Sequence, residues 1–473
     1  MSNVSIKKAA FINFVSRYSN IIIQLLINAV LARLLTPSDY GIVAIISVFI
    51  SFFSILSDMG FGPAIIQNKE LDERDISNIF LFTILVAFVS SIAFILFSYP
   101  ISMFYNNDVY IGLGRILAIG IFFNVLNIVP NALLIKAKEF KKLGIRTVVV
   151  TILGGIFTII LALNGAKYYA LVWNTVFMGL ATFVWNYITI RFKIIFNYKS
   201  DSVKKIRSFS AFQFGFNFIN YFARNSDNLL IGKFLGQVPL GYYDKAYKLM
   251  LYPVSNLTNV ITPVLHPILS EYQHDREKIY HQFIKVIRIL SLLGIFFSIF
   301  CYFSAKEIIL IMFGSQWLAS IPVFKILSLS IWSQMTTSSA SAIFQATNET
   351  KQLFRTGIQS TICIVSFITI GLFFGNIKTV AIFVTLAYIF NFFIAYRMLI
   401  KVVLNKSLLK FLLELKKHSI IAIIMIVGMA LIHFDIKNTL ISIIVKLIIA
   451  SCLYGIGLIV TKEFKVIKGL IKR

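Results

Sequence analysis

The chain has 473 residues, 58% of them hydrophobic, with 46 Phe and a formal net charge of +26. So much apolar content excludes a soluble globular protein, and Lys and Arg set in short stretches between apolar runs exclude a nucleic-acid binder with one solvated basic face. What remains is an all-α polytopic membrane protein.

About fourteen apolar segments are long enough to cross the hydrocarbon core as helices, and they predict spans centred near Ile22, Val48, Val86, Phe122, Gly155, Phe177, Phe218, Val254, Phe296, Trp332, Ile364, Phe383, Ile424 and Ile449. The first follows directly on Lys7 and Lys8, is long for a signal peptide and lacks a small-residue cleavage site, so it is expected to stay attached. Alternate loops carry nearly all the positive charge, from Lys7 through the cluster Lys136 to Arg146 to the tail Lys462 to Arg473. The opposite side holds only Arg33, Lys167, Lys233, Lys245, Lys306, Lys378 and Lys437. The positive-inside bias then places both termini of the multi-pass chain in the cytoplasm.

Sliding the chain against itself by about 200 residues sets Ala32, Arg33, Leu35 and Gly41 on Gly232, Lys233, Leu235 and Gly241, and Asn20 and Asn28 on Asn220 and Asn228. An offset of about 210 sets Arg115 on Lys325 and Glu139 on Glu349. Six spans per copy keep both copies in one orientation, so the expected architecture is two parallel six-helix lobes plus two appended helices. The boundaries read as 1–203 for the N-terminal lobe, 204–405 for the C-terminal lobe, and 406–473 for the appended two-helix unit with its basic cytoplasmic tail. Two parallel lobes enclosing a cavity are the architecture of an alternating-access transporter.

Charged groups inside spans point to function, because a central Arg costs roughly 2.5 to 3.5 kcal/mol in a bilayer and normally faces a partner or water. Arg17 lies in the first span with Gln24 and Asn28 beyond it; Arg224, Asp227 and Asn228 lie in the seventh and Lys248 in the eighth. Arg115 and Lys325 are repeat-equivalent near the outer ends of the fourth and tenth, where snorkelling explains them as well as substrate binding does. Arg224 and Asp227 fit a structural ion pair at i, i+3 as well as a cavity. Arg288 has the option of snorkelling, and Lys446 of packing on the lobes or lining a groove. Asp227 reads as the one firmly internal acid, with Asp58 at a helix end, so a common cavity lined by Arg17, Arg224 and Lys248 would be cationic and suit an anion such as phosphate. The polar residues Gln24, Asn28 and Asn228 fit sugar hydroxyls or ion coupling, and equally interhelical hydrogen bonding.

Catalytic chemistry finds no pattern. His266, His274 and His281 have no zinc spacing, no Gly-rich loop precedes a Lys-Ser or Lys-Thr pair, and Cys301, Cys363 and Cys452 lie in apolar segments without metal or redox spacing. No metal and no bound cofactor is expected, and any coupling would use a proton or sodium.

The run Asp227-Asn-Leu-Leu-Ile-Gly-Lys-Phe-Leu-Gly236, then Leu240-Gly-Tyr-Tyr-Asp-Lys-Ala-Tyr-Lys248, and the early Ala32-Arg-Leu-Leu-Thr-Pro-Ser-Asp-Tyr-Gly41 resemble bacterial polysaccharide exporters of the Wzx and teichuronic-acid-exporter type, in the multidrug/oligosaccharidyl-lipid/polysaccharide superfamily. The resemblance covers nearly the whole chain. It implies flipping of a polyprenyl-diphosphate-linked glycan between leaflets for O-antigen, capsule or exopolysaccharide, with membrane lipid as a partner and a polysaccharide polymerase and chain-length machinery alongside. It also implies that Arg17, Arg224 and Lys248 engage the diphosphate or acidic sugars. Two alternatives stay open, a small-molecule or drug antiporter of the same superfamily and a membrane polysaccharide polymerase or transferase.

Overall fold

The computed structural model describes residues 3–58, 61–68, 70–195, 221, 225–270, 272, 275–432 and 436–464, with the side chains of these except 3–14, 259–268, 270 and 350. The described residues are helical with no strand, and they divide into two compact units, Met1–Lys233 and Phe234–Arg473. The expected boundary at 203/204 and the span centre at Phe218 lie outside the described residues. The other thirteen centres each fall on a described helix, and ten helical stretches among the described residues are long and apolar enough to cross a membrane.

The first unit holds α1 (Asn3–Leu34), α2 (Pro37–Asp58), α3 (Phe61–Gln67), α4 (Glu73–Tyr105), α5 (Val109–Leu126), α6 (Ile128–Lys136), α7 (Phe140–Leu163) and α8 (Tyr168–Ile190), followed by a helical stretch over 225–233. Small residues set the helix spacing, as they must where lipid supplies no hydrophobic drive between helices. A Cβ on Gly114 of α5 would lie 2.3 Å from Ser98 Cβ of α4, and one on Gly155 of α7 would lie 2.2 Å from Ile27 of α1. The start of α4 is locked by a capping box in which the Asp72 side chain accepts from Asp75 N and the Asp75 side chain from Asp72 N. Along α4, Leu85, Phe88, Val89, Ile92 and Leu96 are exposed. Their spacing makes one continuous apolar stripe, the lipid-facing side of a spanning helix.

The second unit continues with α9 (Gln237–Ser270), α10 (Arg276–Phe303), α11 (Ala305–Met312), α12 (Ser320–Ser328), α13 (Ile331–Thr337), α14 (Ala340–Ala346), α15 (Thr350–Leu372), α16 (Ile377–Tyr396), α17 (Leu408–Glu414), α18 (Lys416–Leu431) and α19 (Thr439–Val460). The span expected around Trp332 is three short helices rather than one. Ser328, Ser330, Ser333, Thr336 and Ser339 turn their hydroxyls back onto backbone carbonyls three or four residues earlier, which competes with a regular helix. One buried cluster joins Phe283 and Ile287 of α10 to Phe344, Phe392 and Tyr396. A second joins Leu292, Ile295 and Ile299 of α10 to Ile421, Met425 and Met429 of α18 and Ala450 and Leu458 of α19, so the last two long helices pack on α10. At the head of α10, the backbone N–H and side chain of Lys278 hold the Asp275 carboxyl below its ordinary range.

Candidate functional site

In the first unit, Arg17, Gln24 and Asn28 stand at i, i+7 and i+11 on α1, hence on one line along the helix spanning about 16 Å. Arg17 and Gln24 are exposed and Asn28 is half-buried, its Nδ2 donating to Gln24 O at 2.8 Å. No carboxylate pairs with Arg17 among the described residues. The stripe is therefore a cation flanked by amides, carried on a helix whose neighbouring positions Ile22 and Leu26 are exposed and apolar.

At its far end α1 turns sharply into α2. Thr36 N and Oγ1 both donate to Asp39 Oδ2, at 2.9 and 2.7 Å, while Asp39 Oδ1 accepts from Tyr168 N at 3.1 Å and so ties the corner to α8. The equivalent corner before α9 uses Gly236 instead, at φ 91°, a left-handed backbone that favours glycine. The two stretches that align at an offset of about 200 residues each form a helix corner, built in two ways.

The stretch 225–233 belongs to the first unit, where Tyr221 Oη donates to Val48 O of α2, Tyr105 Oη of α4 donates to Leu229 O at 3.1 Å, and Lys233 Nζ donates to Phe104 O with its charge 4.5 Å from the Phe104 ring. Asp227 is buried, and its Oδ1 accepts from Asn228 N at 2.8 Å. Asn228 Oδ1 is buried with no hydrogen-bond partner among the described residues. Arg224 lies outside the described residues.

Arg115 and Lys325 behave alike. Arg115 is exposed, with Nη2 3.4 Å from Tyr99 Oη, and Lys325 is exposed with Nζ 4.5 Å from the Tyr302 ring. Each equivalent cation leans on a tyrosine near the end of the preceding long helix, the posture of a snorkelling side chain. In the second unit Lys248 reaches solvent while its Nζ stands 2.8 Å from the buried Asp244, one turn back on α9.

Reading charge from the sequence missed several buried groups. Internal acids are more numerous than Asp227 alone: Asp39, Asp75, Asp244, Glu307 and Glu463 are all buried. Glu307 pairs with Lys446 at 2.7 Å and Arg288 pairs with Glu414, so Lys446 packs on the unit and Arg288 has its own acid. Lys245, counted above as an outer-loop charge, is buried, with its ammonium 5.1 Å from the Phe313 ring and 5.9 Å from that of Trp317. Arg146, counted as a loop charge too, is half-buried among asparagines. Its Nη1 donates to Asn131 Oδ1 at 3.0 Å and Asn186 Oδ1 at 2.9 Å, and Asn186 Nδ2 donates to Asn127 Oδ1 at 2.8 Å. The spacing Asn127 to Asn131 put two amides on one helical face and was the available signal.

A family model described as polysaccharide biosynthesis protein matches residues 30–322. The chain belongs to that family. It is 25% identical over 310 residues to the teichuronic acid biosynthesis protein TuaB of Bacillus subtilis (strain 168), a match that covers 65% of this chain and 64% of that protein's length. It is 23% identical over 397 residues to the lipopolysaccharide biosynthesis protein WzxC of Escherichia coli (strain K12), covering 82% of this chain and 79% of that one. Among solved structures it superposes on the lipid II flippase MurJ in an inward closed conformation with a TM-score of 0.76 at 16% identity, covering 96% of this chain and 99% of that one. An inward-facing multidrug resistance MATE family transporter of the MOP superfamily gives 0.64 at 15% identity, covering 85% and 94%. At these identities the structures establish the fold. This member of the polysaccharide biosynthesis family is a multi-pass membrane protein with the helical fold of that superfamily.

Proposed function

We propose that the chain is a flippase that moves a polyprenyl-diphosphate-linked oligosaccharide across the bacterial cytoplasmic membrane for surface polysaccharide biosynthesis, without hydrolysing nucleotide itself. The observation that carries this reading is the stripe on α1. An exposed guanidinium without a paired carboxylate among the described residues stands in line with two amides on a helix long and apolar enough over Val15–Leu34 to cross a membrane. A diphosphate is the ligand that a guanidinium grips with paired donors, sugar hydroxyls suit amides, and the exposed Ile22 and Leu26 beside them suit a polyprenyl tail. Membership in a polysaccharide biosynthesis family, with relatives named for teichuronic acid and lipopolysaccharide, supports a glycan cargo over a drug.

In this reading about fourteen spans form two six-helix lobes, 1–203 and 204–405, with 406–473 appended and both termini cytoplasmic. The lobes alternate in access because substrate binds the two states differently. A polysaccharide polymerase and chain-length machinery would receive the product. The test is a deletion strain whose lipid-linked glycan is extracted and assigned to a leaflet by its accessibility to an external glycan-modifying enzyme. Flippase loss leaves the glycan lipid on the inner leaflet. Short single units displayed outside would instead indicate a polymerase, and an unchanged glycan with altered drug sensitivity an antiporter.

A further inference from the structure

Four side chains from separate elements of the second unit form a hydrogen-bonded line that the transport reading does not use. Trp332 Nε1 of α13 donates to Ser291 Oγ of α10 at 2.8 Å, and Ser291 Oγ lies 2.8 Å from His418 Nδ1 of α18. Beyond the ring, His418 Nε2 faces Glu463 Oε2, just past α19, at 3.9 Å. His418 is 1% exposed and Glu463 2%. Both facing atoms, Nε2 and Oε2, are buried without a hydrogen-bond partner among the described residues.

The donor inventory fixes one end of this line: an indole nitrogen only donates, so Ser291 accepts from Trp332. The one Ser291 proton is assigned to His418 Nδ1, because the other tautomer would turn a bare Nε2 lone pair toward the Glu463 carboxylate. Neutral His418 then carries its proton on Nε2, aimed at the Glu463 carboxyl across a gap too long for a hydrogen bond. Adding a proton at Nδ1 makes both ring nitrogens donors. Ser291 must then turn its hydroxyl away and accept from both sides, while the imidazolium draws the Glu463 carboxylate toward Nε2. The surrounding charges are of both signs. Lys417 Nζ stands 3.7 Å from Glu463 Oε1, and Arg288 of α10, paired to Glu414 at the end of α17, faces the same ring.

We propose that His418 and Glu463 form a buried proton-binding site whose occupancy is transmitted through Ser291 to Trp332. The two groups bind one proton as a pair, and its arrival changes how α18 and the segment after α19 hold onto α10 and α13. The site is a place where a proton gradient can act on the helices, and it is independent of what the protein carries.

The reporter is built in, since protonation turns the hydroxyl whose oxygen the Trp332 indole donates to. The full-length protein in detergent is titrated from roughly pH 8 to pH 3 while tryptophan emission is recorded. Wild type is expected to show a reversible transition that is lost in Trp332→Phe, which removes the reporter, and in His418→Gln, which removes the base. Glu463→Gln should keep the transition but move its midpoint to lower pH by about one unit, because the carboxylate that favours the imidazolium is gone. Size-exclusion elution confirms folding, and Glu463→Gln, outside the helices, carries the test if His418→Gln does not fold. A wild type with no transition, or midpoints unchanged in Glu463→Gln and His418→Gln, overturns the proposal.

Discussion

Lys446 Nζ of α19 stands 2.7 Å from Glu307 Oε1 of α11; the Glu307 side chain is buried and that of Lys446 mostly so. Ser442 Oγ donates to the same Glu307 oxygen at 2.9 Å, and Lys446 also donates to Phe303 O at 3.0 Å. One end of α19 is therefore fastened to the second unit by an ion pair through Glu307 Oε1, while the His418 line fastens the start of α18.

Removing one member of a buried pair strands the other, whereas replacing both with apolar residues does not. Lys446→Met alone should destabilise the protein by about 3 kcal/mol, and adding Glu307→Leu should recover most of that loss. Unfolding midpoints in detergent measure it. Equal loss in the single and double variants would mean the pair does not hold α19.

Arg146 donates through one nitrogen to the amide oxygens of Asn131 and the buried Asn186, so its loss leaves Asn186 Oδ1 short of a donor and Asn131 Oδ1 with only a 3.4 Å contact from Asn186 Nδ2. Arg146→Ala should cost about 1 to 3 kcal/mol. Arg146→Lys should restore only part of it, since an ammonium on a flexible stem does not reproduce the planar fork. The same unfolding assay reads both.

Gly114 sits where any Cβ would fall 2.3 Å from Ser98 Cβ. Gly114→Ala should push α4 and α5 apart and cost about 1 to 3 kcal/mol, and Ser98→Gly in the same chain should recover part of it by removing the opposing atom. Ser98→Ala, which keeps that Cβ, should not.

These sites mark what the sequence displayed and what it hid. Apolar length alone located α4, α7 and α16, because a span must satisfy its backbone internally over about twenty residues. The likeness of Arg115 with Tyr99 to Lys325 with Tyr302 was half legible, as equivalent cations, while the tyrosines show only once the helices pack. The burial of Glu307, Asp244 and Glu463 had no sign in the sequence, since it depends on how the helices pack. Lys245 was hidden for the same reason: its counterparts Phe313 and Trp317 lie some seventy residues on, in a segment with no charge pattern to announce them. The broken helices around Trp332 were hidden because periodicity registers apolar faces, not hydroxyls returning to the backbone.

The central claim is that the cation on α1 receives a diphosphate headgroup, and the direct measurement is the affinity of purified protein for a polyprenyl diphosphate, wild type against Arg17→Gln and Arg17→Lys. The account predicts that Arg17→Gln weakens binding at least tenfold, about 1.4 kcal/mol, with Arg17→Lys intermediate and elution unchanged. Equal affinity in all three proteins would contradict it.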